Sequence, residues 1–254
     1  MKQPLLGQVI TKLRQEKQLT QEEVVEQCNI SVRTLQRIEA GDVTPRDFTI
    51  KSLLGVLDYD LREIESNLSK KTSLSRLNKG WIAGIIYFAM GIFEALADGY
   101  RFEYELPFYF PLIYTAIKIV SISTFIIFML GFAEVGKLNT NFLLKITAYL
   151  MIAAMTVMIF YDVISIFSDL SEEEFMAIKA VEGFVFGGID LVFGVVLLRL
   201  ARQIGSVATV GGLFQILAGV CFITVVFSIA GLILLIPAVL FQVIILYKYF
   251  DLNQ

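Results

Sequence analysis

From residue 5 to about residue 65 the apolar positions return every three or four residues: Leu6, Val9, Ile10 and Leu13, then Val24, Val25 and Cys28, then Leu35 and Ile38, then Ile50, Leu53, Leu54 and Leu57. That spacing places each group on one face of a helix. It predicts about five short helices, each burying one face and wetting the other. Two starts are marked. Thr20 with Glu23 three residues later, and Ser31 ahead of Val32, offer hydroxyls to the backbone N–H groups that a first helical turn leaves unbonded. Helix two is predicted over about 21–28 and helix three over about 32–40, joined by Asn29-Ile30-Ser31. Gly41 ends helix three, where a positive φ costs glycine little.

Beyond residue 80 the alternation stops and polar positions become rare. Six apolar stretches follow, at about 81–99, 108–132, 142–167, 175–199, 207–227 and 230–249, the last two separated by Ser228-Ile229-Ala230-Gly231. Each is near the ~20 residues that cross a hydrocarbon layer of ~30 Å as a helix. The expected fold is all-α: a five-helix domain over 1–67, a basic juxtamembrane linker over 68–79, and a six-span transmembrane bundle over 80–254. Lys70, Lys71, Arg76 and Lys79 suit the linker to anionic lipid, and Trp81 falls where an interfacial aromatic belongs. The sequence leaves open whether the linker is coil or helix.

Composition supports the division. Hydrophobic residues make up 56% of the 254 and mean hydropathy is +0.71, above the roughly 45–50% apolar content of water-soluble domains. Up to residue 68 there are nine Lys/Arg against eleven Asp/Glu, a net charge of about −2. Residues 1–21 contain no apolar run of the ~7–15 residues a secretory segment needs, which places the first domain in the cytoplasm. Lys137 and Lys145 lie between spans two and three, and Arg199 and Arg202 after span four. The alternate loops carry Asp98, Glu103 and Glu105 against Arg101, then Asp169, Glu172, Glu173 and Glu174. Positive charge stays inside, so both termini are expected on the cytoplasmic face of a bacterial inner membrane.

Two helices joined by a short turn, the second followed by Gly41, have the helix-turn-helix layout. The stretch LTQEEVVEQCNISVRTLQRIEAGDVTPRDFTIKSLLGVLDY, residues 19–59, resembles the XRE (Cro/C1) type of helix-turn-helix domain. The resemblance rests on the Thr-Gln opening of helix two, the Ile-Glu-x-Gly close of helix three and the Pro before helix four, and it covers about 5–65. It implies that Ser31, Val32, Arg33 and Arg37 read base edges, with Thr34 and Gln36 as neighbours, that Gln21 contacts phosphate, and that Glu39 is structural. The chemistry suits double-stranded DNA: Arg bonds guanine O6 and N7 bidentately, and Val presses on a thymine methyl. Proteins of this type bind as dimers, so a homodimer is expected.

Charged residues inside spans cost ~2.5–3.5 kcal/mol each on insertion scales and mark functional sites. Glu94, Asp98, Lys118, Glu182 and Asp190 are the candidates for a polar pocket, open to the periplasm, that takes a small cationic or zwitterionic ligand or a proton. Asp98 and Asp162 fall near the outer boundary, where an interfacial position is the simpler expectation. Gly183, Gly187, Gly188 and Gly194 are expected to let helices approach closely. There is no His, only Cys28 and Cys221 for thiols, and no nucleophile–base pairing. The chain is therefore not expected to be an enzyme, nor to carry a metal or other cofactor. The reading that uses both halves is a membrane-bound one-component transcription regulator with a sensor bundle. A transporter or channel with an accessory domain, and a membrane-anchored protein-binding scaffold resembling RodZ, remain open.

Overall fold

The computed structural model describes residues 3–59, 61–103, 105–168 and 170–254, with the side chains of 61–65, 67, 68 and 103 outside the description. Asp169 and the Glu103 side chain, used above to orient the loops, fall outside it. The fold is all-α: 84% of the chain is helical and no strand occurs among the described residues. Among the described residues ten helices run in order, α1 (Leu5–Glu16), α2 (Gln21–Cys28), α3 (Val32–Glu39), α4 (Asp47–Val56), α5 (Leu61–Glu103), α6 (Phe110–Leu138), α7 (Phe142–Ser165), α8 (Glu172–Ile204), α9 (Ser206–Ile223) and α10 (Ser228–Asn253). They divide into two compact units, Met1–Thr72 and Ser73–Gln254.

In the first unit the predicted caps form. The Thr20 hydroxyl accepts the Glu23 N–H at 3.2 Å, and the Glu23 carboxylate accepts the Thr20 N–H at 2.7 Å. Ser31 caps α3 by accepting the Thr34 N–H at 3.1 Å, and Asn29 at φ 53° makes the turn between α2 and α3. Gly41, at φ 82°, closes the turn after α3. Leu6, Ile10, Val24, Leu35, Ile38, Leu53 and Leu57 make the core. The Thr20 N–H, and then its hydroxyl, hold the exposed Glu23 carboxyl below the usual carboxylate range. A carboxylate depressed in the folded state stabilises above its unfolded value of ~4.3 and loses that contribution as pH falls through the lower folded value. The stability gap between wild type and Glu23→Gln, followed by proteolysis of this unit in the full-length protein, is expected to close on acidification; a constant gap from neutral to acid pH would contradict it.

One contact in this unit was not read from sequence. A Cβ on Gly7 would sit 2.3 Å from the Ile38 carbonyl oxygen and 2.6 Å from that of Glu39, so α1 touches the backbone of α3 directly. Gly7→Ala must push the two helices apart, at a cost of ~1–3 kcal/mol for overpacking. Earlier proteolysis of the first unit is expected, and unchanged resistance would show that α3 can shift freely.

The fifth helix is not short: α5 runs for 43 residues and includes the whole of the linker 68–79. That stretch contains neither Pro nor Gly, so nothing in it breaks a helix. The sixth element also differs, since the turn before it falls at 224–227 and Ser228 to Gly231 already belong to α10.

Among the described residues six helices are long and apolar enough to cross a membrane: Ser69–Phe102 within α5, and α6 to α10. In the second unit α6 packs on α7, α7 on α8, α8 on α9 and α9 on α10. Phe128, Phe132 and Phe193 lie at the centre, with edge-to-face ring pairs at 5.6 and 5.1 Å. Phe93, Leu96, Leu112, Val157, Phe160 and Ile233 face outward, the inverse pattern that a lipid solvent permits. Gly187 lies against Gly219 and Gly194 against Gly212, each close enough that an added Cβ would meet the opposite carbonyl oxygen at 2.7–2.9 Å. Of the four glycines singled out on α8, only these two make the close approach; Gly188 has nothing within 4 Å, and Gly183 only the Phe222 ring edge at 3.9 Å.

Polar ties hold the two ends of this unit. At one, Glu134, 2% exposed, accepts from Ser73 Oγ at 2.6 Å, Arg76 at 2.7 Å and Lys137 at 3.0 Å, while Asn139 donates to the Tyr249 hydroxyl and that hydroxyl to Gln203. At the other, Arg101 donates to Ser165 Oγ at 2.8 Å and lies 4.7 Å from the Phe175 ring centroid.

Candidate nucleic-acid interface and buried charge cluster

The first site is the outer face of α3. Leu35 and Ile38 are fully buried, so the helical period turns Arg33, Thr34, Gln36 and Arg37 to solvent, with Ser31 exposed at the N-cap and Val32 half-buried against the core. Among the described residues the Arg33 and Arg37 side chains make no ion pair or hydrogen bond, so both guanidinium groups keep their five donors. Ser31 and Thr34 share a hydroxyl hydrogen bond at 2.8 Å.

Gln21 does not simply extend into solvent. Its amide donates to Glu39 Oε2 at 2.7 Å, and its carbonyl oxygen accepts from Gln36 at 3.1 Å. Glu39 is also gripped by Arg14, at 2.8 and 3.3 Å. One buried carboxylate thus ties α1, α2 and α3 and sets the attitude of the exposed arginines. Arg14 falls on the Gly7–Ile10 face of α1 with its side chain only 14% exposed, but its partner lies 25 residues away, which no local pattern states.

Residues 10–64 match the family model described as Helix-turn-helix. The first unit is a helix-turn-helix domain of the XRE type. No curated protein and no solved structure matches the chain. A helix-turn-helix of this kind is a DNA-binding, regulator-type domain, and here it is joined to helices apolar enough to associate with a membrane.

The second site lies inside the six-helix unit. Lys118, 3% exposed, is its centre, with Asp162 at 2.9 Å, Asp98 at 3.2 Å and Glu94 at 3.6 Å. Asp162 also meets Lys179 at 2.5 Å, and Lys179 meets Glu182 at 2.8 Å. The Tyr114 hydroxyl donates to Asp98 at 2.7 Å. Four carboxylates from α5, α7 and α8 therefore surround two ammonium groups, leaving two negative charges in excess when all are ionised.

The structure changes the sequence grouping in three ways. Asp162, expected near the outer boundary, is 2% exposed and bridges both lysines. Lys179 was missed, although its place three residues before Glu182 on one helix face was visible. Asp190 does not join the cluster. It lies on α8 against α9, bonded to Gln215, because Gly187 and Gly194 on either side of it turn that face of α8 to α9. A surface cavity of about 440 Å³ is lined by Phe108, Pro111, Leu112, Thr115, Val163 and Phe167, apolar except for Thr115.

Proposed function

We propose that this protein is a membrane-bound, one-component transcription regulator, in which the bundle of α5 to α10 receives a signal and the helix-turn-helix binds an operator as a homodimer. The observation that carries the reading is the outer face of α3, where two exposed arginines, without an ion pair among the described residues, stand beside Ser31, Thr34 and Gln36. Such a face suits the major groove, with half-sites ~34–36 Å apart in a two-fold operator. The basic end of the bundle, where Arg76 and Lys137 gather on Glu134, supports a cytoplasmic address for that end and for both termini in a bacterial inner membrane. The charge cluster is the candidate sensor: two excess negative charges favour a small cation or proton over an anion, and the ligand acts only by preferring one arrangement of the helices.

A second reading has one observation in its favour. Glu22, Glu23 and Glu26 are exposed on α2, and an acidic surface suits a protein partner, as in a scaffold. Selection from a random DNA pool with detergent-solubilised full-length protein, at stated salt because affinity depends steeply on it, separates the two. An enriched two-fold motif that is lost in Arg33→Ala/Arg37→Ala is the expected result. Absence of enrichment at any salt would reject the regulator and favour the scaffold.

A further inference from the structure

Asp190 is chemically unlike the other buried and half-buried carboxylates described above. Glu39, Glu94, Asp98, Glu134, Asp162 and Glu182 each have a Lys or Arg nitrogen within 3.6 Å. Asp190, with 0% exposure, has no cationic partner among the described residues. Its Oδ1 accepts from the Gln215 amide at 2.6 Å, and the Gln215 carbonyl oxygen accepts from the Gln242 amide at 2.6 Å. Its Oδ2 is buried with no hydrogen-bond partner.

The surroundings leave little room for a compensating charge. Asp190 stands three residues after Gly187 and four before Gly194, and Gln215 stands three after Gly212 and four before Gly219. Since Gly187 meets Gly219 and Gly194 meets Gly212, the Asp–Gln pair is clamped between two backbone-to-backbone contacts of antiparallel helices. The groups facing it are neutral: Gln215 from α9, Gln242 from α10 and the phenol of Tyr87 from α5. On α8 itself the nearest charges toward the cluster belong to Glu182 and Lys179, eight and eleven residues away, ~12 and ~16 Å along the helix.

An ionised carboxylate in such a place has no Coulombic compensation, and the group neutralises instead. We infer that Asp190 is a proton-binding site separate from the Lys118 cluster, with the proton carried on Oδ2 and the Gln215–Gln242 chain holding Oδ1. Both glutamine amides are oriented toward Asp190, so the chain supplies one donor to Oδ1, from Gln215, and leaves Oδ2 as the atom that gains the O–H bond. Loading takes one proton from water and requires no other reactant. The inference rests on the bundle lying in lipid and is independent of DNA binding, so failure of the operator selection leaves it standing.

The test is infrared spectroscopy of the full-length protein in lipid at neutral pH, reading the carbonyl stretch of a protonated carboxylic acid. Wild type is expected to show the band. Asp190→Asn should remove one carboxyl's intensity, while Glu94→Gln and Asp98→Asn keep it. Gln215→Leu should retain the band but shift it upward in frequency as the hydrogen bond to Oδ1 is lost, and this variant decides the matter if Asp190→Asn does not accumulate. No band in wild type, or a band indifferent to both substitutions, would overturn the proposal. Loss of the band on adding sodium at fixed pH would overturn it in favour of a metal-cation site.

Discussion

Arg33→Ala and Arg37→Ala are each expected to weaken operator binding by about 5- to 150-fold, the ~1–3 kcal/mol carried by a bidentate base contact. Both side chains are exposed and, among the described residues, make no ion pair, so truncation breaks no charge pair there and the loss falls on the complex. Each variant should relax preference at one base position and keep its affinity for random DNA. Gln21→Ala should behave differently. Gln21 lies at the start of α2 and links Glu39 to Gln36, so its removal loosens the attitude of α3 and weakens binding to all sequences alike. Competition titrations against operator and random duplexes, repeated across salt, distinguish the two patterns. Equal losses on both duplexes for the arginine variants would mean that they touch phosphate and that the bases are read elsewhere.

How much of this was legible before the structure differs between the units for a physical reason. In the first unit the decisive interactions are local. A cap is set by residues three apart, as with Thr20 and Glu23, and an exposed helical face follows from its buried one, as Arg33 and Arg37 follow from Leu35 and Ile38. The six apolar helices were legible because hydrophobicity over ~20 residues is also a local property. What the sequence does not state is which helices are neighbours. Glu94, Asp98, Lys118, Glu182 and Asp190 are grouped in a linear reading, yet Asp190, ~12 Å along α8 from Glu182, turns to α9, and helix pairing brings Lys179 and Asp162 in. Gln215 and Gln242 were visible as polar residues in apolar stretches, but their meaning depends on α8, α9 and α10 meeting at one level.

Lys118→Met is expected to have the largest effect on the second unit. The ammonium group contacts three carboxylates within 3.6 Å and is 3% exposed. Removing one partner of a buried ion pair costs ~3–5 kcal/mol because the remaining charge is stranded; here three carboxylates lose their shared cation, so the upper end of that range is expected. Thermal unfolding in detergent should begin well below wild type. The partner variant identifies the cause. Lys118→Met combined with Asp162→Asn removes the carboxylate closest to the lost charge and should recover part of the stability, whereas Asp162→Asn alone should be milder than Lys118→Met, since Lys118 keeps Glu94 and Asp98. Arg76→Ala is the contrasting case: the Arg76 side chain is 57% exposed, and Glu134 retains Ser73 and Lys137, so its effect should be within ~1 kcal/mol. If Lys118→Met unfolds with wild type, the cluster is not held by charge, and the carboxylates around Lys118 carry their protons as Asp190 does.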